Sequence, residues 1–170
     1  MNKIPIYDKT AAYAKENNEL EAYRASRKAN AECSMAISEA ANSNYSDNTF
    51  NSAAALKKVA AEFSLERIAV VVAVSIRDKD HDGRLSKENK AWAKSVPFPK
   101  DMDDWGRDRN SLCAVQDVHP GILNIFADAV RKELEQTKTI PLKKPSLVEK
   151  LSRPLPHKET KDAKPNDKER

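Results

Sequence analysis

The nine residues Ile68-Ala69-Val70-Val71-Val72-Ala73-Val74-Ser75-Ile76 form the most apolar run of the chain, and their secondary structure decides the fold class. Their β-branched side chains raise strand propensity, and the alternation of large with small residues also suits a strand. A lone central strand needs partner strands, however, and no other stretch offers a convincing one. Ser64 is well placed to cap a helix whose first turn contains Glu66. We therefore favour a buried helix over a strand for residues 68–76.

The composition of the 170 residues also favours helices. Only three glycines are present, whereas Ala, Lys, Glu and Asn are abundant. Hydrophobic residues make up 39% of the chain and charged residues 33%, which predicts a modest core inside a very polar surface. Capping residues and apolar spacing predict helices that begin after Asp8, near Glu19, after Asn51 or Ser52, and after Ser64, Ser86 and His119. The prediction is a single compact all-α domain of about six helices over residues 1–136.

A polar segment, residues 78–89, follows the apolar run and has much of the pattern of a calcium-binding EF-hand loop. Positions 1, 3, 5 and 6 of such a loop are occupied by Asp78, Asp80, Asp82 and Gly83. Position 12 requires a bidentate Glu, and Asn89 stands there instead. The alternative interpretation is structural, with a turn that has a positive φ at Gly83 and a helix capped by Ser86. We expect this structural hinge, with no cofactor, and keep calcium binding through the three aspartates as a weaker alternative.

Several residue patterns together resemble an uncharacterised domain family. They are Tyr13-Ala14, Glu19-Leu20, Tyr23-Arg24-x-Ser26, Asn30, Cys33, Glu66-Arg67, Asp82-Gly83-Arg84-x-Ser86-x-x-Asn89-x-x-Trp92-Ala93 and His119-Pro120-Gly121. Members of that family are designated only as a domain of unknown function and occur in proteins of conjugative elements and phages of Gram-positive gut bacteria. The resemblance spans roughly residues 5–135. It implies a shared structural motif made of Arg67, Asp82, Gly83, Arg84, Ser86, Asn89 and Trp92.

One face of the second predicted helix is polar without being charged. It carries Tyr23, Ser26, Asn30 and Cys33 at helical spacing. A serine or cysteine nucleophile on this face would need a base that a third group positions. The histidines, His81, His119 and His157, are not spaced to supply one. We therefore expect this face to pack against another helix, and we predict no enzymatic activity.

Carboxylates are concentrated in the hinge and in the loop around Trp105-Gly106. They are Asp78, Asp80, Asp82, Asp101, Asp103, Asp104 and Asp108. If these groups meet in space, they form a negative surface that resembles a row of phosphates and suits a nucleic-acid channel on another protein. The alternative is an ordinary solvated surface.

The last part of the chain, residues 137–170, differs in composition from the rest. From residue 138 onward it holds ten Lys and Arg against five acidic residues, whereas the preceding 137 residues hold 20 basic and 21 acidic ones. Prolines alternate with lysines and apolar residues are scarce, so we expect a disordered basic tail. Its first basic residues are Lys138, Lys143, Lys144, Lys150 and Arg153. Such a tail attracts DNA or RNA in a salt-dependent way.

The first residues of the chain and its two cysteines indicate the cellular location of the protein. The first residues lack the basic and apolar regions of a signal peptide, and the two cysteines, Cys33 and Cys113, are far apart. The longest apolar run is too short to cross a bilayer. We expect a cytoplasmic protein with reduced thiols and no membrane contact.

Three functions remain open at this point. The first is inhibition of a host nucleic-acid-guided defence nuclease, of the anti-CRISPR type, by a mobile-element protein that binds the effector protein or ribonucleoprotein, or its nucleic acid. The second is a DNA-processing or transfer accessory module whose tail holds DNA while the helical body docks a transfer enzyme. The third is a calcium-responsive module built on the hinge.

Overall fold

The computed structural model describes residues 4–139, and six α-helices make up most of this part of the chain. They are α1 (Ala11–Glu16), α2 (Leu20–Ser43), α3 (Ser52–Ala60), α4 (Leu65–Asp78), α5 (Lys87–Ser95) and α6 (Pro120–Thr139). A short antiparallel pair, β1 (Tyr45–Ser46) and β2 (Thr49–Phe50), joins α2 to α3, and a 3-10 helix spans Arg109–Cys113. The predicted all-α fold is confirmed. The disordered tail was predicted to begin at residue 137, and this start is wrong because residues 137–139 form the end of α6. The other residues of the predicted tail lie outside the described part of the chain.

Helix α4 is the centre of the domain. Its residues from Arg67 to Ile76 are buried without interruption. It packs against α2, α3, α5 and the 3-10 helix, so that every side of it is covered. The Oγ atom of Ser64 caps it by accepting the backbone N–H of Arg67 at 3.2 Å. The prediction that residues 68–76 form a buried helix is therefore confirmed.

The apolar core lies around α4 in two clusters, a small one of Val70, Val74 and Ala114 and a main one that holds most of the buried apolar residues. The largest members of the main cluster are Ile37, Leu56, Val59, Phe63, Ile68, Val72, Ile76, Leu123, Phe126 and Val130. A polar residue within this core, Ser75, donates its hydroxyl to the carbonyl of Val71 at 2.6 Å and accepts the N–H of Val115 at 2.8 Å. Both hydrogen-bonding capacities of this buried hydroxyl are thus used, as burial requires.

The helix starts agree with the predicted caps except at α1. The Oδ1 atom of Asn51 accepts from the N–H of Ala54 at 3.0 Å, and Ser86 caps α5. The prediction of Asp8 as a cap is wrong, because Thr10 accepts the N–H of Tyr13 at 3.2 Å and α1 begins two residues later than Asp8 allows. None of the helices described within residues 4–139 is long and apolar enough to cross a membrane.

Candidate interaction surfaces

The three hinge aspartates bond to different groups and do not converge on one point. Asp78, in the last turn of α4, accepts a hydrogen bond from Gln116 at 3.2 Å. Asp80 forms an ion pair with Lys94 of α5 at 3.5 Å, and Asp82 bonds to the arginine two residues later. Among the residues that the structure describes, no group of three or more His, Cys, Asp or Glu side chains is arranged to hold a metal.

Asp82 and Arg84 close the hinge turn. The guanidinium of Arg84 donates to the two carboxylate oxygens of Asp82 at 3.0 and 2.7 Å, and its backbone N–H donates at 2.9 Å. These hydrogen bonds hold the pKa of Asp82 well below its usual range. Arg84 also lies 3.1 Å from the Nε2 atom of His119. The predicted positive φ at Gly83 is wrong: positive φ occurs at Gly106, and a side chain at position 83 would meet open space.

Asn89 connects α5 to α6. Its side chain is fully buried, and its amide nitrogen donates to the carbonyl and side-chain oxygens of Asn124 at 3.1 and 2.9 Å and to Asp128 at 2.9 Å. Its amide oxygen accepts from Arg131 at 3.0 Å. The backbone N–H of Ser86 donates to the same Asn124 side chain at 2.8 Å. The residue at loop position 12 is thus engaged with α6.

Trp92, the last residue of the resembling motif, lies on α5 one turn after Asn89. It is half-buried and packs against the main apolar cluster. Asn89 and Trp92 are three residues apart on the same face of α5, where Asn89 bonds to α6 and Trp92 packs against the apolar cluster.

The predicted polar face of α2 is buried and binds Arg67 of α4. Arg67 is 1% exposed, and its guanidinium donates to the carbonyl of Ser26 at 3.0 Å, to the side-chain oxygen of Asn30 and to the carbonyl of Ile4 at 2.7 Å. Burial lowers the pKa of this arginine. The polar face thus supplies neutral acceptors to a buried cation, a packing role of the kind that the sequence predicted.

Cys33 and Tyr23, the remaining members of this face, are held in their neutral forms. Burial raises the pKa of the Cys33 thiol to about 12, which removes the thiolate that nucleophilic chemistry requires. Burial and a hydrogen bond to Asp101, with a distance of 2.5 Å between the oxygens, raise the pKa of Tyr23 to about 12.

Asp101 was predicted to be part of the acidic surface, but it is buried in the interior. Asp101 is 3% exposed and accepts hydrogen bonds from the hydroxyl of Tyr23 and from the backbone N–H of Ala11 at 3.1 Å. It also forms ion pairs with Arg27 at 3.7 Å and Arg109 at 3.3 Å. Asp101 therefore ties its loop to α1 and α2, and its assignment to a partner surface is wrong because these donors neutralise and bury it.

Two further carboxylates of the same loop bond within it. Asp108 accepts the backbone N–H groups of Asp101 and Asn110 at 3.1 and 3.0 Å. Asp103 pairs with an arginine four residues later. Asp104 is exposed, and within residues 4–139 it makes no hydrogen bond or ion pair. The predicted row of carboxylates is therefore reduced, in this loop, to one unpaired charge.

Residues 102–108 form a closed turn, here named the Trp105 finger. Met102 and Asp108 pair as an antiparallel bridge at its base. The N–H of Asp103 donates to the carbonyl of Arg107 at 2.8 Å, and the N–H of Gly106 donates to the carbonyl of Asp103 at 3.0 Å. Gly106 has a φ of 74°, which a side chain would disfavour. The backbone of the finger is thus fixed by its own hydrogen bonds.

The carboxylate of Asp103 fixes the tip of this finger. One oxygen accepts the N–H groups of Trp105 and Arg107 at 2.9 and 2.8 Å, and the other accepts the Arg107 side chain at 3.0 Å. These bonds lower the pKa of Asp103. Trp105 is 83% exposed, Met102 at the base of the finger is 51% exposed, and Leu112 in the 3-10 helix that follows is 81% exposed. A large aromatic ring on a rigid turn is typical of an interface hot spot.

Sequence reasoning missed the Trp105 finger. The signal present in the sequence is Asp103-Asp104-Trp105-Gly106, an aspartate that can accept backbone N–H groups two and four residues later, followed by a glycine suited to positive φ. This pattern predicts a turn. It does not say whether the Trp side chain is covered by the rest of the domain.

A groove of about 980 Å³ runs between α1 and the segment after α5, and we name it the basic groove. Its apolar walls are Tyr13, Val96, Pro97, Phe98 and Pro99, and its lysines are Lys9, Lys94 and Lys100. Arg77 lies at its base, with its guanidinium donating to the carbonyls of Ala93, Val96 and Phe98 at 2.6 to 2.8 Å. Burial lowers the pKa of Arg77.

The basic tail was predicted as a further binding segment. Lys138 lies exposed in the last turn of α6. Its other named members, Lys143, Lys144, Lys150 and Arg153, lie outside the described residues.

Comparison with known proteins supports only a coarse classification. A model of the family described as Protein of unknown function (DUF3849) matches residues 6–135. The matched range includes the hinge, the Trp105 finger and the basic groove. No curated protein and no solved structure matches the chain. The match confirms the predicted resemblance to a domain of unknown function.

Proposed function

The chain belongs to the family described as Protein of unknown function (DUF3849), and from this premise we propose that it acts by binding a macromolecular partner and catalyses no reaction. The observation that carries the proposal is Trp105, 83% exposed at the tip of a turn that its own hydrogen bonds fix. Exposing a Trp ring to water costs free energy that burial in a partner recovers.

The polar face of α2 supports a role in binding over one in catalysis. Its Ser26 and Asn30 groups bond to Arg67, and the Cys33 side chain is a buried, protonated thiol. Groups with these partners stabilise the contact between α2 and α4. They are not free to reach a substrate.

The partner that we propose is a host nucleic-acid-guided defence nuclease, so that the protein acts as an inhibitor of the anti-CRISPR type. The resemblance to domains of conjugative elements and phages motivates this choice, because such elements must survive host defences. The Trp105 finger would supply the buried aromatic contact, and Asp104 beside it would meet a basic group of the effector or occupy a phosphate position.

Binding and protection assays test this proposal. Purified full-length protein is titrated into RNA-guided nuclease complexes from a bacterial host, and cells that express it are challenged with a targeted plasmid. Replacing Trp105→Ala is expected to weaken effector binding by about 30-fold or more, as for other hot-spot residues. Met35→Ala is the matched control, since Met35 is also exposed, at 65%, but lies on α2. No binding to any such complex and no plasmid protection would refute the proposal.

A second candidate, the DNA-processing or transfer accessory module, is favoured by the charge distribution alone. The nine basic and five acidic residues after position 139 make the end of the chain positive. A chain that stops at residue 139 separates the two functions. An accessory module would lose most of its activity, whereas an inhibitor that works through the Trp105 finger would keep most of it.

A further inference from the structure

The Trp105 finger and the basic groove lie next to each other. Arg77 and Lys100, which line the groove, also line a smaller cavity together with Met102 and Gly106 of the finger. These two residues therefore border both the groove and the cavity at the foot of the finger. One element projects from the surface and the other is concave, and both leave apolar side chains uncovered within the described part of the chain.

The chemistry of the two elements is complementary. The finger offers an indole ring with the unpaired carboxylate of Asp104 beside it. The groove offers apolar and aromatic walls, and around them lie three lysines and the carboxylates of Asp8 and Asp80. Two of these lysines already have carboxylate partners, Lys9 with Asp8 and Lys94 with Asp80. The third, Lys100, has no ion pair among the described residues and is the cation available to Asp104.

Arg77 adds a further positive charge at the base of the groove. Its three hydrogen bonds go to neutral carbonyls, and within residues 4–139 no carboxylate lies at ion-pair distance from it. The charge of Asp108 acts on this guanidinium without forming an ion pair, so the positive charge is only partly compensated. An aromatic ring and a carboxylate that enter the groove would both interact favourably with it.

We propose that two copies of this chain form a symmetric dimer in which the Trp105 finger of each copy enters the basic groove of the other. The groove segment, residues 96–100, is followed almost directly by the finger, residues 102–108, so a two-fold axis near their junction lets both contacts form at once. The same contact made twice closes the assembly, which gives a dimer and no filament. This inference goes beyond the proposed function, because it concerns the protein without its effector.

Sedimentation velocity of the full-length protein alone, over a dilution series, tests the dimer. The parent is expected to show a concentration-dependent shift from monomer to dimer. Trp105→Ala should raise the dimer dissociation constant by about 30-fold or more, and because Trp105 is exposed in the monomer the variant should keep its helical circular dichroism. Met35→Ala, on α2, should dimerise like the parent.

Variants on the groove side test the docking position. Tyr13→Glu places a carboxylate on the apolar wall and should weaken dimerisation as strongly as Trp105→Ala. The single variants Asp104→Lys and Lys100→Glu should each weaken it by about threefold or more, and the double variant should restore it, since the reversed pair forms again across the two-fold axis.

None of these measurements involves an effector, and each possible result either supports or overturns the proposed dimer. A parent that sediments as a monomer at every concentration overturns it, as does a Trp105→Ala variant that dimerises like the parent. Dimerisation that depends on Trp105 and ignores Tyr13→Glu overturns the groove as the receiving site. A failure of effector binding leaves these measurements unchanged, so the two proposals fail separately.

Discussion

Arg67 is the side chain whose surroundings best explain why α2 and α4 pack in one register. It carries a charge into the interior, and neutral oxygens from the N-terminal segment and α2 accept its N–H groups. A buried cation stays in place only if each donor finds an acceptor, so the backbone of Ile4 and the side chain of Asn30 are fixed along with it.

Arg67→Ala is expected to lower the free energy of unfolding by about 3 kcal/mol or more, since it leaves buried oxygens without donors and opens a cavity. Urea denaturation followed by circular dichroism measures the change. Arg24→Ala is the matched control, because Arg24 is an exposed arginine on α2, the helix that Arg67 contacts. A loss below about 1 kcal/mol for Arg67→Ala would contradict the role assigned to it.

The lowered pKa of Asp82 predicts how the stability of the folded protein depends on pH. Its pKa in the folded protein lies below the ordinary value of 3.8, because Arg84 donates to it. A carboxylate of this kind stabilises the folded state above its unfolded pKa, and the contribution is lost as the pH falls toward the folded pKa. Asp82→Asn should therefore lower the Tm relative to the parent near neutral pH, and this difference should shrink as the pH falls below about 4.

Met35→Ala serves as the control for this experiment, since Met35 is an exposed residue of α2 that carries no titratable group. Its Tm difference from the parent should change little over the same pH range. If the Tm difference between Asp82→Asn and the parent stays constant from neutral to acid pH, the Asp82–Arg84 contact does not stabilise the fold in the way described.

At the level of elements, the hinge joins α4 to α5 and positions α5 against α6. Asn89 provides three donor contacts and one acceptor contact to α6 from a fully buried side chain. The role predicted from the sequence, a structural hinge, agrees with these contacts. The identity of the partner helix was not predictable, because Asn124, Asp128 and Arg131 lie 35 to 42 residues away.

Asn89→Ala is expected to lower the free energy of unfolding by about 2 kcal/mol and to speed amide hydrogen exchange in α5, since the contacts that hold α5 to α6 are lost. Lys87→Ala, at an exposed position of the same helix, is the control. Equal exchange rates in α5 for the parent and Asn89→Ala would show that the apolar contacts of α5, including those of Trp92, are sufficient to hold the helix.

Calcium is expected to leave the Tm of the protein unchanged. Asp78, Asp80 and Asp82 bond to three different side chains, and Asn89 is engaged with α6. Thermal melts with calcium and with chelator measure this directly. A stabilising shift that disappears in the double variant Asp78→Ala/Asp80→Ala would instead support the calcium-responsive module.

At the scale of the whole molecule, the residues that form the core and the residues that give the protein its positive charge lie in different parts of the chain. The main apolar cluster lies entirely within residues 33–134. Residues 1–139 hold 21 basic and 21 acidic residues, so this part of the chain has no net charge when histidine is neutral. The positive charge of the protein therefore belongs to residues 140–170.

A chain that ends at Thr139 should keep the parent Tm, because the complete core remains. The parent should bind single-stranded DNA weakly, with an affinity that falls as salt rises, and the shortened chain should lose most of this binding. Differential scanning calorimetry and fluorescence anisotropy at two salt concentrations measure the two effects. A large drop in Tm would show that residues after 139 contribute to the fold, and unchanged DNA binding would place the binding surface within residues 1–139.

The sequence by itself determined the helical class, the burial of α4, the caps at Ser64 and Ser86, and a cap at either Asn51 or Ser52. These features depend on hydrogen bonds between residues three apart and on the spacing of apolar residues within single helices. A short stretch of sequence contains all the residues involved. The sequence also placed Ser26 and Asn30 on one face of α2.

Only the tertiary structure decided which polar residues are interior and which apolar residue remains exposed. Asp101 is buried because Tyr23 and Ala11, 78 and 90 residues away, donate to it, and the short window around Asp101 holds neither. Trp105 is exposed because the finger closes on its own backbone, and none of the described residues of the domain covers the ring. Contacts between distant segments decide such burial, and a local pattern does not record them.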